Sequence, residues 1–314
     1  MELRQLRHFL AVMDAGNFAA AAQNLGLTSQ AIGRSIQKLE SEFGLQLFTR
    51  QQRSVTPNEF AHALESHARR MVMQQRAALE EISAMDLGSV GEVRIALGGA
   101  MAGEVGPRAI CRFQQKYPRI RISLTGGLTD ALIRQLRRGD IDLVAGVATP
   151  DWRLDAELEV EKLFPTETVI LARRGHPLAG RADLTLAELA RYPWIVSSRH
   201  IGDTGPLPLL DVFHSAGINP PTQLLYSDAV SAAMGLLVRG DFLTLSVTYA
   251  VPLTVVSRGD PNTPFVWLNH TWPAAPNVAC LVYRAGVELA RPARLLAAEI
   301  RQVAAELHES GFPP

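Results

Sequence analysis

Between Leu25 and Glu40 the chain reads LGLTSQAIGRSIQKLE, with its apolar residues at helical spacing. Ile32, Ile36, Leu39 and Phe43 form a stripe that predicts a short amphipathic helix with this face turned to a core. Thr28 stands just ahead of the stripe, where its hydroxyl can accept an otherwise orphaned backbone N–H and cap the helix. The opposite face carries Ser29, Gln30, Gly33, Arg34 and Gln37. Short polar groups near the helix start and long ones further on suit the reading of base edges and the holding of phosphates in a major groove. An ordinary solvated helix face shows the same pattern. Upstream, Leu3, Leu6, Phe9, Leu10 and Met13 share a helical stripe that Gly16 ends, and Asn17 caps a second helix, FAAAAQNL, that Gly26 stops. Two short helices joined by a tight turn, the second polar outside, predict a helix-turn-helix. After Gly44, LFTRQQRSVT sets apolar Leu47 and Phe48 against polar Arg50, Gln51, Gln52 and Arg53. It predicts a small β-wing whose Arg50 and Arg53 touch the phosphate backbone.

From Pro57 to about Asp86 the pattern stays helical, with Ala61, Leu64, Ala68, Met71, Ala78, Leu79 and Ile82 in one stripe of about seven turns. Outside any obvious core, a helix this long predicts a partner, and the same helix of a second subunit would serve. Docking against its own globular domain is the alternative. Gly88–Gly91 makes a short joint. Beyond it, strand EVRIALGG, helix Val105–Tyr117, strand Ile120–Thr125, helix Thr129–Arg138 and strand Ile141–Val147 alternate, which predicts a parallel sheet with right-handed crossovers. A second set follows Phe164–Pro165. It comprises strand ETVILAR, a turn at His176–Pro177, helix LTLAELA capped by Thr185, strand WIVSS, helix Leu207–Ala216, strand QLLYS, helix Ala229–Arg239, and strands FLTLSV and LTVVSR. PFVWLNH and NVACLVYR read as apolar strands that finish the first sheet before a helix from Glu288 to about Glu309. Two α/β lobes joined by crossing segments near residues 164 and 265 predict a cleft suited to a small ligand.

Composition removes several classes. At 314 residues, 47% hydrophobic and 20% charged, the chain is globular and long enough for two or three domains. Thirty-one basic and 31 acidic residues cancel, so the whole chain is no nucleic-acid-coating polycation. Within residues 27–55, Arg34, Lys38, Arg50 and Arg53 exceed Glu40 and Glu42 by only two charges, which favours binding through more than one copy of the module. MELRQLRHFLAV carries charges inside its apolar stretch, unlike a signal peptide, and no apolar run reaches membrane-spanning length, so a cytoplasmic protein without a membrane partner is expected. Cys111 and Cys280 have no ligand partners at metal spacing and are expected to be buried thiols. The eight histidines show no HxxxH, so no metal site is expected. No GxSxG elbow exists, and Ser197, Ser198 and His200 lie too close in sequence to make a triad without a separate orienter. Gly98–Gly99 and Gly126–Gly127 match neither a P-loop nor a dinucleotide fingerprint; they let backbone N–H groups approach a ligand, or simply make turns. No catalytic residue and no cofactor are expected.

LRHFLAV, GNFAAAAQNLGLTSQAIGRSIQKLE and GLQLFTR, followed by FQQKYPRIRISLTGG and LIRQLRRGDIDLVAG, resemble the LysR-type transcriptional regulators over essentially the whole chain. The resemblance implies an α/β protein with an N-terminal winged helix-turn-helix at 1–58, a dimerising linker helix at 59–88 and a two-lobed, periplasmic-binding-protein-like effector domain at 92–314. Lobe one would span about 92–163 and 266–314, and lobe two about 164–265. Implied partners are double-stranded promoter DNA, a small-molecule effector, a second subunit through the linker helix, a homotetramer and RNA polymerase. By position, Thr28, Ser29, Gln30, Gly33, Arg34 and Gln37 fall on the DNA-reading helix, and Arg50 and Arg53 on the wing. Gly33 stands where the family usually has serine, and Ala61 where a glycine is common. The effector site would be ringed by Ala100, Met101, Thr129, Val147, Ser198, Arg199 and Asp228. A hydroxyl common in relatives near Ala100–Ala102 is missing. Arg199 and His200 offer a positive pole for an anionic effector, and read equally as solvated loop residues. Two rivals share the cleft. A solute-binding transport component needs export, and an enzyme needs a placed acid, base or nucleophile that the chain does not display.

Overall fold

Three glycines punctuate the N-terminal part of the computed structural model. Gly16, Gly26 and Gly44, with φ of 67°, 65° and 67°, close α1 (Leu3–Ala15), α2 (Phe18–Leu25) and α3 (Ser29–Phe43) in a left-handed conformation that carries no Cβ penalty at glycine. The structure describes residues 1–50, 55–85, 91–127, 129–148, 155–196, 209–227, 229–252, 254–256, 262–273 and 277–310. The chain divides into two units, the first made of Met1–Ser89 with Arg137–Gly139 and Gly286–Ala290, the second of the remainder. The expected joint at Gly88–Gly91 lies outside the described residues except for Gly91.

In the first unit both expected caps are in place. Asn17 Oδ1 accepts the Ala20 N–H at 2.7 Å and Thr28 Oγ1 the Ala31 N–H at 3.2 Å. Leu6, Phe9, Ile32, Ile36 and Leu39 are at most 1% exposed, and burial of side chains this size contributes about 1.5–3 kcal/mol each. Phe43 is a correction: it stays 43% exposed. It is in phase with the stripe, but it is the last helical residue before Gly44 turns the chain toward the wing. The wing forms as expected, β1 (Phe48–Arg50) antiparallel to β2 (Val55–Pro57), with the Val55 N–H donating to the Gly16 carbonyl at 3.0 Å.

Asn58 then starts α4 (Glu59–Met85), accepting the Ala61 N–H at 3.1 Å while its amide donates to the Gln46 carbonyl at 2.7 Å. Ala61 and Ala68 are fully buried and Leu64 and Val72 pack at the core's edge, so the first half of α4 docks on its own unit. Arg69 fixes this docking with a hydrogen bond to Asp14 of α1 at 2.7 Å, while Glu65 on its own helix accepts from it at 2.6 Å. Burial works against the Arg69 cation, and the two carboxylates outweigh it, raising its pKa. Further along, Met71, Leu79 and Ile82 are exposed.

The second unit holds two mixed five-stranded sheets, and the parallel set expected over residues 92–147 forms part of the first. The first contains β3 (Glu92–Leu97), β4 (Arg121–Gly126), β5 (Leu143–Val147), β6 (Leu158–Thr166) and β12 (Asn277–Arg284), in the order β4-β3-β5-β12-β6. β3 is parallel to β4 and β5; β12 runs antiparallel to β5 and β6. On one face α5 (Val105–Lys116) packs with α10 (Arg291–Glu309), braced by Lys116–Glu299 and Arg112–Glu306 pairs at 2.7 Å each. On the other, Leu132 and Leu136 of α6 (Thr129–Arg138) meet Ala96, Val144 and Cys280. The buried Arg284 guanidinium donates to the Leu136 and Ile141 carbonyls at 2.6 and 2.7 Å, tying the end of α6 to β12.

The second sheet, β11-β7-β10-β8-β9, uses β7 (Thr168–Arg173), β8 (Trp194–Val196), β9 (Leu224–Tyr226), β10 (Leu243–Val247) and β11 (Phe265–Trp267). Around it lie α7 (Leu186–Leu189), α8 (Leu209–Ser215) and α9 (Val230–Arg239). Thr185 caps α7 in a reciprocal box with Glu188. The Thr185 N–H and hydroxyl, with Arg181, hold the Glu188 carboxyl down at about 2.

Four further expectations are corrected. β6 was expected as no more than a crossing. It is an edge strand, the position where Pro165 costs no ladder bond. Phe265–Trp267 joins the second sheet instead of finishing the first, because it pairs antiparallel with β7 and Arg174 donates to the Thr263 and Phe265 carbonyls. LTVVSR is no strand at its described residues: Val255 and Val256 donate back to the Pro252 carbonyl at 2.9 and 3.2 Å in a turn, leaving one bridge at Val256. Cys111 is exposed on α5, whose buried stripe runs through Ala109 and Phe113; Cys280 is buried as expected.

His176 marks an acid-sensitive point in this second lobe. It is buried, its Nδ1 accepts the Leu178 N–H at 3.1 Å, and its ring lies 4.5 Å from that of Tyr192. Burial pushes its pKa below the usual imidazole value; Asp241 opposes this and Arg173 adds to it. The fold therefore favours the neutral ring. Stability is retained above the unfolded pKa of about 6.5 and is lost as the pH falls from there through the lower folded value. Urea midpoints taken at neutral and mildly acidic pH should show this loss in the parent chain and a smaller one in His176→Asn, whose amide oxygen can replace Nδ1. Equal losses would remove His176 as the cause.

Candidate DNA-binding face and effector cleft

Helix α3 is set by its buried stripe, and the face left over is the expected one. Thr28, Ser29, Gln30, Arg34 and Gln37 are exposed, and Gly33 is half-buried. The Thr28 hydroxyl is engaged in the cap, so of the six it is the one with a structural duty. Among the described residues Arg34 has no hydrogen-bond or ion-pair partner, which leaves its guanidinium available to an outside anion. A Cβ built on Gly33 meets nothing within 4 Å, so a serine would fit there.

The acidic residues that dilute the local positive charge are turned to other work. Glu40 Oε1 accepts the Leu47 N–H at 2.7 Å and the Phe48 N–H at 3.3 Å, fixing the start of the wing. Glu42 pairs with the Met1 amino group and accepts from Gln5 at 3.2 Å, and these two contacts hold its carboxyl below the usual range. Lys38 pairs with Glu2 at 2.7 Å. Sequence reasoning counted these charges without their partners, and it missed Asn58, whose place before a helix start is an N-cap signal. Arg50 closes β1 opposite Val55; Arg53 lies outside the described residues.

In the second unit, Ala100 and Met101 lie in a 3-10 turn, Gly99–Met101, at the C-terminal end of β3, and both are fully buried. Val147 ends the neighbouring β5, and its Cγ2 lies 2.8 Å from the point where a Gly99 Cβ would stand, so the turn needs glycine there, with φ 52°. Thr129 is the first residue of α6. The Gly98 N–H is spent on the Ala145 carbonyl at 2.9 Å, which favours the turn-making role for that glycine. Ala100, Met101 and Val147 are thus brought together at adjacent strand ends. Ser198, Arg199, His200 and Asp228 lie outside the described residues. No group of three or more metal-ligating side chains occurs among the described residues.

Comparison with known proteins adds an independent line. Residues 3–62 match the family described as bacterial regulatory helix-turn-helix protein, lysR family, and residues 87–305 match the LysR substrate binding domain. An SDS degradation transcriptional activation protein from a Pseudomonas species is 38% identical over 61% of this chain, and the match spans 63% of that relative's length. The HTH-type transcriptional regulator GalR of Pseudomonas putida is 28% identical over 97% of this chain and 75% of its own. Among solved structures, full-length OxyR from Pseudomonas aeruginosa has a TM-score of 0.65 at 17% identity, covering 96% of this chain and 95% of its own. Full-length CbnR complexed with its target DNA has a TM-score of 0.58 at 23% identity, covering 96% and 100%. At these identities the two structures speak for the fold. No helix among the described residues is long and apolar enough to cross a membrane.

Gly33 permits a direct check on the helix that bears this face. With open space at its Cβ and a central helical position, Gly33→Ala should raise unfolding stability by about 1 kcal/mol in urea titrations. A loss of stability would mean that this part of α3 is not the regular helix described.

Proposed function

Because this chain belongs to the LysR family of DNA-binding, effector-responsive transcriptional regulators, we propose that α3 reads its operator through Ser29, Gln30, Gly33, Arg34 and Gln37. Arg50 and Arg53 hold the phosphate backbone from the wing, and Thr28 keeps the helix start in shape. The observation that carries this reading is Arg34, unpartnered among the described residues, on a face whose opposite side is locked in the core. The regulator works in the cytoplasm as a homodimer through α4, and as a homotetramer at a promoter with RNA polymerase as a further partner. Exposed Leu79 and Ile82 on the far half of α4, with Met71 near its middle, support the first contact, since apolar surface is costly to leave in water. The division into 1–58, 59–88 and 92–314 serves these three tasks.

The effector is a small anion bound between the lobes, with Thr129, Val147, Ser198, Arg199 and Asp228 around it and the buried Ala100 and Met101 shaping the turn beneath. Binding stabilises one lobe placement over another and so changes the spacing of paired recognition helices.

Anisotropy titration with the DNA immediately upstream of the protein's own gene tests the first part. Arg34→Ala should weaken sequence-dependent binding about tenfold or more without altering the oligomer, and unchanged affinity would refute the role. Ile82→Asp, followed by sedimentation in the same series, should dissociate the α4 dimer; an unchanged mass would place the dimer contact elsewhere. For the effector, Arg199→Ala should abolish thermal stabilisation by whichever small carboxylates or sulfates stabilise the parent chain. Stabilisation that survived the change would remove Arg199 as the positive pole.

A further inference from the structure

The segment leaving β10, Thr248–Val251, is fastened at several points. The Thr248 N–H donates to the Glu167 carbonyl at 3.0 Å and its Oγ1 accepts the Glu167 N–H at 3.2 Å, which ties the segment to the crossing between β6 and β7. The Tyr249 ring stands edge-on to Phe164 of β6, 5.0 Å between centroids. Its backbone meets the first lobe at Gly103, between the 3-10 turn and α5. A Cβ on Gly103 would lie 2.5 Å from the Tyr249 oxygen and 2.6 Å from Ala250 C and Val251 N. This is backbone against backbone, with no side chain to rotate out of the way.

Tyr249 also sits at φ 68° with 2% of its surface exposed. A bulky residue is strained in that region and persists there only where its surroundings over-determine it. The strain coincides with the point where the second lobe bears on the first.

We propose that Gly103 and the Thr248–Val251 strap form the pivot about which the two lobes turn. The strap is anchored to the crossing at Glu167 and bears on Gly103, so changes of lobe angle are confined to motions that keep this contact. The left-handed Tyr249 holds the strap to that path. The inference rests on the reading of the second unit as a two-lobed effector domain and goes beyond it by naming the fulcrum. Lobe spacing can be measured with neither effector nor DNA, so its failure is separate from failure of the regulator reading.

Cys111 on α5 is exposed and Cys280 is buried, so a nitroxide on Cys111 and another on His214→Cys in α8 report the distance between lobes. The full-length protein is diluted with unlabelled chains to suppress signals between subunits. In double electron–electron resonance, Gly103→Ala should shift the main distance by about 2 Å or more, the scale of a domain rearrangement. Tyr249→Gly, which frees the strap, should broaden the distribution, and adding it to Gly103→Ala should reverse part of the shift. Gly106→Ala is the control. Its Cβ would clash at 2.5 Å with Leu97 and the Met101 oxygen inside the first lobe, and the distance should hold. A parental distribution in folded Gly103→Ala, or an equal shift in Gly106→Ala, would overturn the pivot. If Gly103→Ala does not fold, a parental distribution in Tyr249→Gly does so.

Discussion

The burial of Ile32, Ile36 and Leu39 is the constraint on which the N-terminal unit turns. Three aliphatic side chains sealed against α1 and α2 allow α3 a single rotational setting. That setting decides which residues face water. The polar side then needs no contact of its own to be held in place, and among the described residues Arg34 is left without a partner. Packing on one side of a helix thereby defines chemistry on the other.

Charge is organised by the same economy. The near-neutral composition suggested a weak attraction to a polyanion. In the fold, Glu40 and Glu42 serve backbone amides, the amino terminus and Gln5, and Glu2 serves Lys38. Carboxylates that complete the scaffold are held close to it, while the cation that would meet phosphate is not. Net charge is a property of the chain; the field at a surface depends on where each group is spent.

Local signals were the legible ones. Asn17, Thr28 and Thr185 could be named as caps because capping involves residues three apart, and the glycine stops needed only a φ that glycine alone adopts easily. Sheet membership was legible only in part: NVACLVYR was rightly assigned to the first sheet, where it forms β12, and two other segments were not. β6 mixes Glu159, Glu161 and Lys162 with apolar residues without strict alternation and carries Pro165, a pattern shared by linkers and edge strands. Phe265–Trp267 has the composition of any buried strand, and only its distant pairing with β7 assigns it to the second sheet. The exposed face of α3 proposed to read DNA emerged from helical phase. The effector side did not, because Ala100 and Met101 carry no distinguishing chemistry and their burial follows from contacts far along the chain.

The division of labour on α3 has a consequence for how such a regulator can diverge. Ser29, Gln30, Arg34 and Gln37 have no share in the core, and the helix is capped by a residue just outside that set. Substitutions among the four cost the fold little, so a duplicated gene could explore new target sequences without first acquiring compensating mutations. Specificity and foldability can drift apart here, one residue at a time.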